Sequence, residues 1–163
     1  MTGALASSQS ASDAARFVER FADGWSGPHP EGLLALLDPD VRLIQPLSAP
    51  VAGRAAAERE LFAPLFRFLP DLRLAVVRWS AAGDVVFIEW TASATLGTGK
   101  LRWSGVDRFV LGADGTALER VAWFDPAPLL VAILRHPSCW WRFVRSGVAR
   151  RALQNGTGTS TRR

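Results

Sequence analysis

The spacing of hydrophobic positions changes character along this chain. Between residues 12 and 25, Ala14, Phe17, Val18, Phe21 and Trp25 recur three or four apart, the stripe of an amphipathic helix with Ser12 as its cap. "SGPHP" breaks that helix, and "EGLLALL" (31–37) reads as a second short one closed by Asp38-Pro39. "VRLIQP" (41–46) is a short strand, and "GRAAAERELFAPLFRFL" (53–69) a third helix, kinked or restarted at Pro64. The period then drops to two. Strands are expected over 72–80, 84–96, 101–111 and 117–125, separated by "AAGD", "GTG" and "GADGT". "PAPLLVAILRH" (126–136) and "SCWWRFVRSGVARRAL" (138–153) return to helical spacing and are split by Pro137. Helices followed by an antiparallel meander that covers them make an α+β fold. Residues 1–11 and 154–163, rich in Ala, Ser, Gly and Thr, are expected to be disordered tails. They leave a domain over 12–134 and a basic helix over 135–153.

One strand breaks its own pattern. In "LRWSGVDRFVL" (101–111) the face Leu101, Trp103, Gly105, Asp107, Phe109, Leu111 is apolar except for a carboxylate. A three-residue loop at 97–99 sets Glu89 opposite Asp107 and Phe87 opposite Phe109. On the other side, Trp123 falls opposite Asp107 and Asp125 opposite Gly105. Phe87, Glu89, Trp103, Asp107, Phe109, Trp123 and Asp125 then line one concave surface, although a bulge would flip part of the set. Three carboxylates in an apolar hollow resist ionisation together, so at least one is expected to titrate high and to serve as an acid beside a basic neighbour. Each has a plainer reading. Asp107 pairs with an arginine such as Arg78 or Arg120, Glu89 sits on the wet face or rim, and Asp125 caps the helix that Pro126 opens. Trp103 and Trp123 belong to the core on that reading.

Composition adds limits. The chain has 163 residues and a net charge of +4. Residues 1–134 hold 12 basic and all 15 acidic side chains, a balance of −3, whereas residues 135–163 hold seven arginines and no acid, +7. The basicity belongs to the C-terminal segment, so a nucleic-acid-binding face is not expected of the fold. One cysteine, Cys139, excludes an internal disulfide, and it is expected to be buried. His29 and His136 have no metal-ligand spacing; His29 reads as a loop residue and His136 as a helix end. No apolar run approaches a membrane span, the N-terminus lacks a signal-peptide pattern, and a cytoplasmic location is expected. Trp140, Trp141, Val144 and Val148 could share one face of the last helix. An amphipathic basic helix of that kind can lie on an anionic membrane, but packing of its aromatics on the domain is the favoured expectation.

The segments between residues 13 and 134, taken in order, resemble the SnoaL-like proteins of the nuclear transport factor 2-like superfamily. The residues that carry this are the helix ending at Trp25, "LLDPDVRLIQP", "AGRAAAERELF", "PDLRL", "GDVVFIEWTASATLGTG", "GVDRFVL-ADG" and "ERVAWFDP". The resemblance implies a cone-shaped curved antiparallel sheet wrapped around N-terminal helices, a cystatin-like α+β barrel, here with a C-terminal helical extension. It also implies an apolar pocket and a homodimer formed through the sheet. Set against ketosteroid isomerases, Asp107 matches the oxyanion-hole aspartate. Gln45 replaces the general base, and Phe17 stands near the position of a tyrosine the chain lacks, so classical steroid isomerisation is not expected. Set against limonene epoxide hydrolases, Trp123 and Asp125 match a catalytic Trp-x-Asp, while Phe87 and Glu89 stand where an Arg-x-Asp pair would be. Polyketide cyclases imply Asp107 or Asp125 as the acid/base residue, with no metal and no cofactor. The expected activity is acid/base catalysis by Asp107, Asp125 and Glu89 on a small hydrophobic molecule held by Trp25, Gln45, Phe87, Trp103, Phe109 and Trp123. The alternative is a non-catalytic member that binds a hydrophobic ligand or a protein partner.

Overall fold

The computed structural model describes residues 2–27 and 30–148, with side chains from Ser10 onward. His29, the expected continuation of the basic helix to residue 153 and the tail at 154–163 lie outside the described residues. Helix α1 (Thr2–Ser26) and the short α2 (Pro30–Leu34) precede strands β1 (Leu37–Ile44) and β2 (Val51–Ala52). A broken helix follows, made of α3 (Arg54–Ala57), a π-turn over Glu58–Phe62 and α4 (Ala63–Phe68). Strands β3 (Arg73–Ala82), β4 (Val85–Leu96), β5 (Gly99–Leu111) and β6 (Ala117–Phe124) form the meander, and α5 (Ala127–Arg135) and α6 (Trp140–Ser146) close the described chain.

Most expected elements are present, and the differences have local causes. Helix α1 begins at Thr2, so the segment expected as a disordered tail is helical and Ser12 lies inside the helix rather than capping it; a run of Ala and Ser has no breaker to stop helix propagation. Strand β1 starts at Leu37, taking in the Asp38-Pro39 read as a helix stop. Pro39 has no donor for the ladder, and the β1–β6 register is irregular between Leu37 and Arg42. Pro64 acts earlier than expected: its ring crowds the carbonyl of residue 60, and the helix widens into the π-turn just before it. Helix α6 stops at Ser146 because Gly147 takes a left-handed conformation, φ 89°.

The curved sheet has the order β2-β1-β6-β5-β4-β3 and is not closed. All neighbouring pairs are antiparallel except β1 and β6, which run parallel because the whole meander intervenes between them. The stripe of α1 lies across the concave face: Ala14, Phe17, Val18, Phe21 and Trp25 are all buried. Phe109 sits between α1 rings, with centroids 4.9 Å from Phe17 and 5.6 Å from Phe21.

Two one-residue differences in register decide which side chains face inward. The β4–β5 turn has two central residues, Gly97 and Thr98, with Gly97 at φ 62° in the Gly-X pattern of a tight hairpin. Asp107 therefore lies opposite Ile88, while Glu89 lies opposite Val106. On β6, Leu111 pairs with Ala117 but Val110 pairs with Glu119, so Leu118 is the extra residue of a bulge. Downstream of it Asp107 faces Ala122, Val106 faces Trp123 and Gly105 faces Phe124. A single-residue shift exchanges the two faces of a strand. Inward positions are thus Val86, Ile88, Trp90 and Ala92 on β4, and Arg120, Ala122 and Phe124 on β6. Phe87, Glu89 and Trp123, expected inside, are on the outer face.

Candidate functional site

A cavity of about 120 Å³ lies between the inner face of the sheet, the broken helix and the C-terminal helices. It is close in size to the roughly 150 Å³ engineered cavity that accepts benzene. Its walls are mostly apolar. Trp25 comes from the end of α1, Leu61, Phe62, Pro64, Leu65 and Phe68 from the broken helix, and Leu74, Trp90, Trp103 and Phe124 from the sheet. Leu129 on α5 and Val148 beyond α6 complete the lining. The loop Gln45–Ser48 adds to the lining, and in it Leu47 holds φ 62°; a left-handed conformation is costly for a residue with a Cβ.

Polar side chains interrupt this lining. Arg120 reaches the cavity from β6, its side chain 11% exposed. Its Nε donates to Asp107 Oδ2 at 2.7 Å, and its Nη1 to Gln45 Oε1 at 3.4 Å, a long bond. Asp107 is completely buried and lies behind Arg120 rather than in the cavity wall. Among the described residues its Oδ1 has no partner. Of the two readings open for Asp107, the ion pair with Arg120 is the one the fold adopts. The crowding of three carboxylates does not arise.

Trp90 is the second polar feature. It is buried, it lines the cavity, and its indole Nε1–H has no acceptor among the described residues. Gly105 makes its placement possible. A Cβ there would lie 2.5 Å from Trp90 Cζ2 and 2.8 Å from the Trp123 carbonyl oxygen, so the indole crosses β5 where only glycine fits. The Trp90 and Phe124 rings stand 6.1 Å apart.

The expected site residues therefore separate. Trp25, Gln45 and Trp103 line the cavity, with Asp107 one bond behind it. Phe109 is core beneath α1. Glu89 pairs with Arg78 on the outer face, where Phe87 and Trp123 are exposed. Asp125 Oδ1 accepts the Ala127 N–H at 2.9 Å and caps α5, the plainer of its two readings. Most of the cavity lining went unread in the sequence, Trp90, Phe124 and Glu60 included. Trp90 and Phe124 have inward parity only under the observed register. Glu60 is placed by the π-turn, a helix irregularity frequent at functional sites; it lines the cavity and pairs with Arg59 at 2.9 Å. Among the described residues, no group of three or more His, Cys, Asp or Glu side chains is placed to share a metal ion.

The C-terminal helices also differ from expectation. Cys139 is buried, and Phe143 packs on Phe68 with centroids 5.3 Å apart. Arg142 Nη2 donates to the Phe68 carbonyl at 2.9 Å. Trp140 and Trp141, expected to pack on the domain, are 48% and 68% exposed. The inward side of this segment is made by Cys139, Phe143 and Ser146 instead.

The sheet that carries Arg120 and Trp90, wrapped around α1 and opening on an apolar cavity, is matched over residues 18–120 by the SnoaL-like domain model. The chain belongs to the SnoaL-like family. Solved structures share its fold. A protein assigned as a SnoaL-like polyketide cyclase from Jannaschia sp. CCS1 is 22% identical, covering 75% of this chain and 92% of its own, with a TM-score of 0.65. TerC, co-crystallised with polyporic acid, is 23% identical over 74% of this chain and 98% of its own, TM-score 0.65. An epoxide hydrolase of M. tuberculosis, similar to limonene epoxide hydrolase, is 20% identical over 79% and 95%, TM-score 0.60. No curated protein matches the chain.

Proposed function

We propose that this SnoaL-like domain binds a small, mostly apolar molecule that presents an oxygen acceptor, such as a cyclic ketone, to Arg120 and Trp90. The observation that carries this reading is the polarity of the cavity. Its walls are aromatic and aliphatic, and the residues that line it include Trp90, whose buried indole N–H has no acceptor among the described residues, and Arg120, whose guanidinium has donors beyond those given to Asp107 and Gln45. A buried donor without a partner costs about 1–3 kcal/mol, so a ligand oxygen that accepts from Trp90 recovers that cost. Asp107 fixes the guanidinium through its Nε, and Nη1 makes only a long bond to Gln45, so donors on the Nη groups remain for a ligand. TerC, similar in fold, was co-crystallised with polyporic acid, and a mostly apolar, oxygen-bearing ligand would suit this cavity as well.

The binding role is favoured over acid/base catalysis by Asp107, Asp125 and Glu89. Glu89 and Asp125 are engaged elsewhere, and Asp107 is shielded by Arg120. One observation favours a catalytic version of the same site: Glu60 brings a carboxylate to the cavity. Removing an α-proton from a bound ketone to Glu60 would leave an enolate whose oxygen Arg120 and Trp90 stabilise.

The test is calorimetric titration with 1-indanone and with indane, which differ by one oxygen at nearly constant shape. Tighter binding of the ketone, by about tenfold or more for one recovered hydrogen bond, supports the reading; equal affinity refutes it. Deuterium exchange at the indanone α-position, lost in Glu60→Gln, separates the catalytic version from simple binding.

A further inference from the structure

The two C-terminal helices have two apolar sides, and the cavity uses only one. Leu129 and Val148 face the cavity, while Ile133 and Phe143 pack on the core. On the opposite side, Leu134 and Trp141 are both 68% exposed and Val144 is 62% exposed. Leu130, Val131 and Trp140 are exposed with them. The spacing places Leu130, Val131 and Leu134 on one face of α5, and Trp140, Trp141 and Val144 on one face of α6. The two faces adjoin, because Trp140 Nε1 donates to the Ile133 carbonyl at 2.7 Å across the helix junction.

The charged side chains on α5 and α6 themselves have one sign. Arg135, Arg142 and Arg145 are exposed on the same two helices, and the Arg145 guanidinium lies 5.6 Å from the centroid of the Trp141 ring. From residue 126 to 163 the sequence contains seven arginines and no Asp or Glu. A second copy of the chain fits such a face poorly, since a two-fold interface would set arginines against arginines. An anionic lipid surface fits both features. Tryptophan rings and short aliphatics settle at the headgroup boundary, and arginines pair with lipid phosphates. Among the described residues no helix is long and apolar enough to cross a membrane, so the geometry is that of a surface contact.

We infer that α5 and α6 dock the domain on an anionic membrane through Leu134, Trp141, Val144 and the flanking arginines. The docking does not depend on the ligand reading above. If both hold, the helices that touch the bilayer also wall the cavity, which brings a membrane-dissolved apolar ligand within reach of it.

The test is co-sedimentation of the intact protein with phosphatidylcholine vesicles, with and without phosphatidylglycerol. Binding is expected only with the anionic lipid. It should fall steeply between about 0.1 M and 1 M salt, as the screening length shrinks from about 10 to 3 Å. Each arginine near the surface is worth about fivefold in affinity. The triple variant Leu134→Ser/Trp141→Ser/Val144→Ser alters only exposed side chains and should bind at least about tenfold more weakly. Its circular dichroism should match wild type, and a Val77→Ser control, another exposed apolar side chain, on the edge strand β3, should bind as wild type. Four results overturn the proposal: no binding to anionic vesicles, equal binding to neutral ones, full binding by the triple variant, or a dimer that the triple substitution dissolves without any vesicle binding.

Discussion

Replacing Arg120 with methionine removes the guanidinium from the cavity lining and leaves Asp107 alone. The carboxylate is completely buried, and its Oδ1 already lacks a partner among the described residues. Losing the 2.7 Å bond to Oδ2 leaves both oxygens without a partner among the described residues, at a strand position flanked by Ile88 and Ala122. Breaking a buried ion pair from one side costs about 3–5 kcal/mol. That is a large share of the roughly 5–15 kcal/mol that holds a domain folded. For a chain of this length it corresponds to a fall in melting temperature of roughly 6–20 °C. The double variant Asp107→Leu/Arg120→Met removes both charges, and burial of apolar side chains there should be neutral or stabilising by up to about 4 kcal/mol relative to wild type. Urea unfolding of wild type, both single variants and the double variant closes the cycle. If Arg120→Met alone stays within about 1 kcal/mol of wild type, Asp107 does not depend on Arg120 and the ion-pair account of the strand fails.

Other consequences follow from single contacts. Gly105→Ala drives a methyl into the Trp90 ring and the Trp123 carbonyl; it should cost about 1–3 kcal/mol in urea unfolding and weaken 1-indanone binding. For Asp71, partial burial raises the pKa, but hydrogen bonds from Thr95, one from its N–H at 3.1 Å, outweigh it and hold the carboxyl below the ordinary 3.8. A lowered folded pKa contributes stability above the unfolded value, and that stability is lost as pH falls through the folded one. Asp71→Asn should therefore flatten the fall in melting temperature below about pH 4 and leave its shape at neutral pH unchanged. The exposed Phe87 and Trp123 on the outer sheet face lead us to expect a homodimer there. Light scattering of wild type and of Phe87→Ser/Trp123→Ser checks this, and a wild-type monomer at micromolar concentration contradicts it.

The elements of this fold were legible because their periods were. The α1 stripe from Ala14 to Trp25 reads as three-and-four spacing and is buried as such. The strand alternation of 101–111 put Asp107 inside, where it is. The site was less legible because it depends on register, which local pattern does not fix. "LGTG" is compatible with a two- or a three-residue turn, and the choice moves Glu89 from beside Asp107 to the outer face. The bulge at Leu118 has no side-chain signature, yet it turns Trp123 outward and Arg120 inward. The π-turn that presents Glu60 was visible only as a kink near Pro64. In α6, adjacent tryptophans beside a buried cysteine suggested packing, but Phe143 carries the packing to the core while Trp141 faces outward.

The central claim is that an acceptor on an apolar ligand meets the buried indole N–H of Trp90, and the nitrogen-15 NMR signal of that group reports on it directly. The seven indole resonances can be separated, with Trp90 identified by its loss in Trp90→Phe. The account predicts that 1-indanone moves the Trp90 indole proton downfield, as a new hydrogen bond does, and that indane at matched occupancy does not. A Trp90 resonance indifferent to the ketone, or shifted equally by the hydrocarbon, would contradict it.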